Sequence, residues 1–315
     1  MNAYVAVTDF DWFRYLASMP DVDEVNFWTP NPWGGEFRVL DRGQPLLFKL
    51  RAAEGGWIVG GGFFAHYTEL PISLAWDSFG EKNGAASLQA VRERISRLRR
   101  KETDPWAEYS IGCILLAEPF FFNRDDWLPA PADWAPNIVR GRRYDLTVSP
   151  GRELWNQVSE RLQASDLTRD PDATPPPYGN AKGGYTDPQL QKRRLGQGTF
   201  RVLITDLYQR QCAITLERAL PALEAAHIRP FSERPVHEIR NGLLLRSDVH
   251  RLLDSGYLTV TPEHRVEVST RMRDDFNDGK NYLRLHGGTV LVPEREEHQP
   301  DPEILRWHNE NRYRG

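Results

Sequence analysis

Cysteine is nearly missing: Cys113 and Cys212 are the only two among 315 residues. That excludes a disulfide framework and fits a reducing compartment. Long apolar runs are missing too, because no stretch approaches the roughly 18 apolar residues of a membrane helix. The opening MNAYVAVTDFDWFRYLA shows no basic leader ahead of an apolar stretch. A cytoplasmic protein that makes no use of a membrane is therefore expected. Excess charge of either sign is also lacking, since 40 Lys and Arg stand against 44 Asp and Glu, net −4. Taken alone, that argues against nucleic acid, whose phosphates are bound by Lys and Arg. The remaining composition, 40% hydrophobic and 27% charged, is that of an ordinary globular chain long enough for two cores.

One stretch concentrates chemistry. LEAAHIRPFSERPVHEIRNGLLLRSDVHRLLDSG, from Leu223 to Gly256, places His227 at the end of a short apolar run, followed by Asn241 and His250. Leu243, Leu244, Val249, Leu252 and Leu253 surround a short helix that Gly256 can end. On that helix His250 and Asp254 are i and i+4, so they share a face. Imidazole and carboxylate side by side, opposite a second histidine, suit one divalent ion with open positions, and hence hydrolysis. A histidine ordinarily half-neutral near pH 6.5 can take a proton from water.

These residues resemble the HNH, or ββα-metal, endonucleases, in particular the bacterial restriction type. The resemblance runs from Leu195 to the C-terminus: RLGQGTFRVLITDLYQRQCAIT leads in, and LEAAHIRPF, RNGLLL and SDVHRLLDSGYLTV supply three motifs in order. It implies His227 as general base, Asn241 as the residue that fixes the loop, and His250 as a ligand for Mg²⁺, with Mn²⁺ or another divalent ion as substitutes. Many relatives carry Asp or His just before the base; here Ala226 stands there, and Asp254 is the candidate to complete the ligand set. Double-stranded DNA is the implied partner, and a homodimer is one way for a single-site enzyme to cut both strands. Arg194, Arg229, Arg246 and Arg251 around the motifs are the candidate phosphate contacts.

Blander readings exist for each residue taken singly. A histidine after an apolar run is commonly a satisfied core residue, and Asn-Gly is commonly a turn. A structural zinc site from Cys212, His227, His237 and His250 lacks the paired CxxC or HxxxH spacing. His237 falls in the variable loop and reads as solvated. A non-catalytic nucleic-acid binder with a degenerate metal site also stays open because of Ala226.

The first 165 residues differ in character, holding nine of the ten tryptophans. Strands are expected at Glu36–Leu40, Pro45–Leu50, Trp57–Phe64 and Tyr109–Glu118. Helices are expected at Asp9–Ser18, with Thr8 as a candidate N-cap, at Ser87–Arg100 with Leu88, Val91, Ile95 and Leu98 on one stripe, and at Glu153–Ala164. The fold class is α+β, an N-terminal mixed sheet or small barrel with helices followed by a ββα-metal domain. GQPLLFKL, WIVGGGFF and YSIGCILLAEPFFF together resemble the PUA superfamily, including EVE and ASCH domains, which implies a reader of modified bases. A base so inspected leaves the duplex and stacks on aromatics; Trp28, Trp33, Trp57 and Trp76 are the candidates. Gly60-Gly61-Gly62 suits either close backbone approach or a bulge.

The Pro- and Gly-rich stretch Asp166–Tyr185 reads as a linker. The division is a reader domain at 1–165, a linker at 166–189 and a nuclease domain at 190–315. Beyond the motifs, Tyr257–Val260 with Arg265–Val268 reads as a hairpin and Thr289–Val292 as a further strand. Trp307 is expected to anchor the last helix, and His308 has no evident partner. A modification-dependent DNA endonuclease is the reading these features favour. The alternatives are the degenerate binder and a nuclease whose first domain reads unmodified sequence or a protein partner.

Overall fold

The computed structural model describes residues 1–34, 37–99, 107–167, 195–233, 237–276 and 279–315. They divide into two units, Met1–Gly196 and Gln197–Gly315. The linker expected at 166–189 lies outside the described residues except for its first two positions, as do Arg194 and Trp106. No helix among the described residues is long and apolar enough to cross a membrane.

The first unit is built on a six-stranded sheet: β1 (Asn2–Thr8), β2 (Glu24–Thr29), β3 (Pro45–Leu50), β4 (Ile58–Pro71), β5 (Ser110–Phe121) and β6 (Gly141–Asp145). Their order is β2-β5-β4-β3-β1-β6. Among the described residues only the β1–β3 pair is parallel. Among the described residues the sheet is open, with β2 and β6 as edges and no pairing between them. Helices cover both faces. On one, α4 (Gly151–Leu167) sets Leu154, Trp155 and Val158 against Ala3, Val5, Leu47 and Ile58. On the other, α1 (Phe10–Ala17) sets Trp12 edge-on to Phe27 and Phe48, 5.3 and 5.1 Å between centroids. Double coverage accounts for the unbroken burial of PLLFKL in β3, Lys49 included. The Lys49 ammonium donates to Leu50 O at 3.0 Å and lies 4.7 Å from the centre of the Trp134 ring.

Several expectations need correction here. Phe37–Leu40 forms turns rather than a strand, with Phe37 packed into an aromatic cluster with Tyr4, Trp33 and Phe64. The N-cap of α1 is Asp9, whose carboxylate accepts from Trp12 N at 3.1 Å, not Thr8. In α3 (Leu88–Arg99) the buried stripe is rotated: Arg92 is buried and bridges Glu108 at 2.8 Å, while Leu98 is exposed. The glycine triplet serves both purposes considered for it. A methyl group at Gly60 would overlap the Phe120 carbonyl, and the β4–β5 register shifts between Gly61 and Phe63.

The second unit contains α5 (Gln197–Leu207), the antiparallel pair β7 (Leu223–His227) and β8 (Gly242–Arg246), α6 (Ser247–Asp254), the hairpin β9 (Leu258–Val260) and β10 (Val266–Val268), α7 (Arg271–Phe276), α8 (Lys280–Leu283) and α9 (Pro302–Asn311). The hairpin is the expected one, but Thr289–Val292 contributes only an isolated bridge from Thr289 to Arg265. Leu243, Leu244, Leu245, Val249 and Leu253 form one core with Phe200, Ile204, Ile304 and Leu305. The last helix is thus anchored by Ile304 and Leu305, whereas Trp307 stays partly exposed beneath the Arg229 guanidinium at 4.7 Å.

His308 does have partners, contrary to expectation. It is 2% exposed, with Nε2 3.1 Å from Leu253 O and Nδ1 2.8 Å from Thr259 Oγ1. The carbonyl can only accept, so Nε2 carries the proton and Nδ1 accepts from the hydroxyl. Burial holds this imidazole down at about 4. The unfolded chain then binds a proton that the folded chain refuses, so stability is full above about pH 6.5 and falls as pH drops towards 4. Urea melts should show His308 alone removing about 2 kcal/mol between pH 7 and pH 5. A His308→Gln variant should be less stable at pH 7 but have a flatter pH slope.

Candidate active site

Strand β7 carries the candidate base at its last position, in register with Gly242, the first residue of β8. The absence of a side chain at Gly242 lets α5 come close: a Cβ there would lie 2.9 Å from the Phe200 ring and would collide with Ile204. Phe200 consequently stacks on His227, centroids 4.2 Å apart and planes 14° apart. This cover desolvates the imidazole, and together with the nearby His237 and His250 it lowers the pKa of His227 to about 4. His227 is neutral at pH 7 and available as a base.

After His227 the chain leaves the ladder, and Asn241 captures it. Its side chain is fully buried, with Oδ1 accepting from Arg229 N at 2.8 Å and Nδ2 donating to Arg229 O at 2.9 Å. Ile228 N donates to Asn241 O at 2.9 Å. The carboxamide therefore stands in for a strand partner just where pairing stops.

Helix α6 starts directly from β8. Val249 and Leu253 face the core, which leaves His250 and Asp254 together on the more open side, Nε2 to Oδ2 3.4 Å. A residue missed in the sequence lies opposite: Glu224 of β7, whose Oε2 accepts from His250 Nδ1 at 2.7 Å. Partial desolvation and the Glu224 charge raise the Asp254 pKa, while His250 and Arg312 pull it down. The second missed residue is His237, expected to be solvated. Its Nδ1 lies 3.1 Å from His227 Nε2 and its ring stacks on Phe231.

Ala226 is fully buried and supplies no donor. Among the described residues no group of three or more His, Cys, Asp or Glu is arranged to hold a metal ion. Cys212 is buried, and its sulfur accepts from Thr215 N and Arg246 N, both at 3.3 Å.

The candidate arginines differ in circumstance. Arg246 is forked onto Asp248 at 2.6 and 2.8 Å, and this pairing holds the Asp248 carboxyl at about 2. Arg229 is occupied by Trp307 and sits 3.8 Å from Glu233. Arg251 stands exposed, one residue beyond His250. The four tryptophans are not gathered into one pocket. Trp28 is buried and donates to Asn83 O at 2.9 Å. Trp33 packs on Phe37 next to Tyr67, whereas exposed Trp57 precedes the start of β4, roughly 30 Å of strand contour away. Trp76 is half-buried on α2 (Ile72–Phe79).

Replacing Asn241 by Ala leaves the Arg229 amide and carbonyl unmatched, an expected loss of about 2–4 kcal/mol in urea melts. Asn241→Asp, which keeps the acceptor but turns the donor into a second acceptor facing Arg229 O, should recover only part of it.

No curated protein matches this chain. A solved structure of a modification-dependent TagI restriction endonuclease aligns over 93% of this chain and 76% of its own, at 12% identity and a TM-score of 0.30. Residues 212–261, which span β7, β8, α6 and β9, match the HNH endonuclease family model.

Proposed function

We propose that the chain is a divalent-metal-dependent DNA endonuclease of restriction type, with His227 as general base, Asn241 as the residue that fixes its loop, and His250 and Asp254 as metal ligands. The observation that carries the proposal is that one ββα unit sets a desolvated imidazole at the end of its first strand and a His–Asp pair on its helix. The donor chemistry fits a metal. Glu224 accepts the His250 Nδ1 proton at 2.7 Å and an Asp254 oxygen lies 3.4 Å from Nε2, so a divalent ion would be held by that nitrogen and that carboxylate together. Two protein donors suffice for Mg²⁺, which keeps waters and phosphate oxygens in its remaining positions. The bound ion supplies charge neutralisation at the phosphate and the departing oxygen. His227 takes the proton of the attacking water, and Asn241 keeps that imidazole where the strand ends.

Ala226 favours a second reading, a DNA binder whose site has lost its chemistry, and the same variants separate the two. His227→Ala should cut plasmid DNA about 10²–10⁴-fold more slowly with binding nearly unchanged. His250→Ala and Asp254→Ala should shift the Mg²⁺ or Mn²⁺ titration midpoint upward. Cutting by His227→Ala at the wild-type rate would remove the mechanism.

We further propose that residues 1–165 form a PUA-like reader of a modified base, joined to the nuclease through 166–189. Supporting it are Trp57, 37% exposed, and the Trp33 ring with Arg140 5.9 Å above it. Base–aromatic stacking is worth about 1–3 kcal/mol. Full-length His227→Ala protein should therefore prefer methylated or hydroxymethylated duplex over unmodified duplex by about tenfold, and one of Trp57→Ala and Trp33→Ala, which lie too far apart to hold the same base, should erase the preference. Equal affinity across the panel would refute the reader while leaving the nuclease untouched.

A further inference from the structure

His237 has no place in the mechanism above, yet it lies in hydrogen-bonding reach of the proposed base. Its Nδ1 is 3.1 Å from His227 Nε2. Its orientation is held by aromatic contact on more than one side: Phe231 stacks on it at 4.5 Å and 17°, and Phe200 lies 5.4 Å away. Phe200 covers His227 as well, so the two imidazoles share one aromatic wall. Phe231 is 43% exposed. Keeping a large aromatic ring so open beside the site makes sense if the histidine beneath it must stay in register.

A contact between two ring nitrogens needs one proton and one lone pair. If His237 donated, neutral His227 would carry its own proton on Nδ1 and have no lone pair left for water. If His227 donates from Nε2, its Nδ1 is bare and can accept the proton. We infer that His237 is a positioning residue that accepts the Nε2–H of His227, holding the base in the tautomer whose Nδ1 takes the proton from water. This inference rests on the nuclease reading for its function but not for its geometry. When the water proton moves to Nδ1, His227 becomes an imidazolium whose Nε2–H already points at a neutral acceptor, and no other proton has to move.

Two substitutions separate the hydrogen bond from the stack. His237→Phe keeps the aromatic contacts and deletes the acceptor; His237→Asn deletes the ring but leaves an amide oxygen near the Nδ1 position. On DNA, His237→Phe should lose about 10–100-fold in kcat with KM within about twofold, and His237→Asn should regain most of the loss. Nitrogen-15 spectra of His227 in the full-length protein, without DNA or metal, should show an Nε2–H tautomer in the wild type and in His237→Asn, averaging to a mixture in His237→Phe. A wild-type rate in His237→Phe, an unchanged tautomer there, or an Asn variant no better than Phe would overturn the inference. Should His237→Phe melt below the assay temperature, the tautomer of His237→Asn decides: retention supports the inference and averaging overturns it. Absence of cleavage by the wild type would instead defeat the nuclease reading, with the spectra still deciding whether His237 sets the tautomer.

Discussion

The pair of hydrogen bonds between the Asn241 carboxamide and the backbone of Arg229 is the constraint on which the second unit's site depends. A strand end is where backbone groups lose their partners, and a buried loop cannot leave them bare. Placing a fully buried amide at that point fixes the direction in which the chain leaves β7. His227 is the last ladder residue, so its ring inherits the order of the strand rather than the freedom of the loop. Arg229, held at both its amide and its carbonyl, in turn reaches over Trp307 of α9. The end of the chain is thereby tied to the turn that follows the base.

Around this clamp the charged groups are arranged in sequence from covered to open. His227 lies under Phe200 and is kept neutral by lost hydration. His250 stands between two carboxylates, Glu224 at 2.7 Å on one nitrogen and Asp254 at 3.4 Å on the other. Glu224 and Asp254 both retain access to solvent. The two histidines are thus given different surroundings, one beneath an aromatic ring and the other between two carboxylates.

What the sequence revealed depended on the periodicity that carried it. His250 and Asp254 were legible because i and i+4 on a short helix share a face whatever the tertiary context. The candidate trio of His227, Asn241 and His250 stood out through spacing and the resemblance to a family. Glu224 did not, since its meeting with His250 comes from the β7–α6 approach and no local pattern encodes that distance. His237 was masked by its loop, where composition alone predicts a wet side chain. In the first unit β3 and the longer β4 and β5 were readable as apolar runs, but β1, β2 and β6 were not, and the turn at Phe37–Leu40 carried strand-like residues because it fills an aromatic cluster. The α3 stripe was misplaced because Arg92 finds Glu108 and a backbone carbonyl inside, which makes burial of a guanidinium tolerable. Tryptophan counting failed for Trp28, whose indole is satisfied within the core.

Gly242 has a significance beyond packing. Its bare α-carbon allows α5 to press Phe200 onto the imidazole across the ladder from it. The cover over His227 thus depends in part on a residue with no side chain at all. A methyl group there would push on the Ile204 side chain and on the tip of the Phe200 ring that covers His227. The contact between helix and imidazole is made possible by the absence of one methyl group.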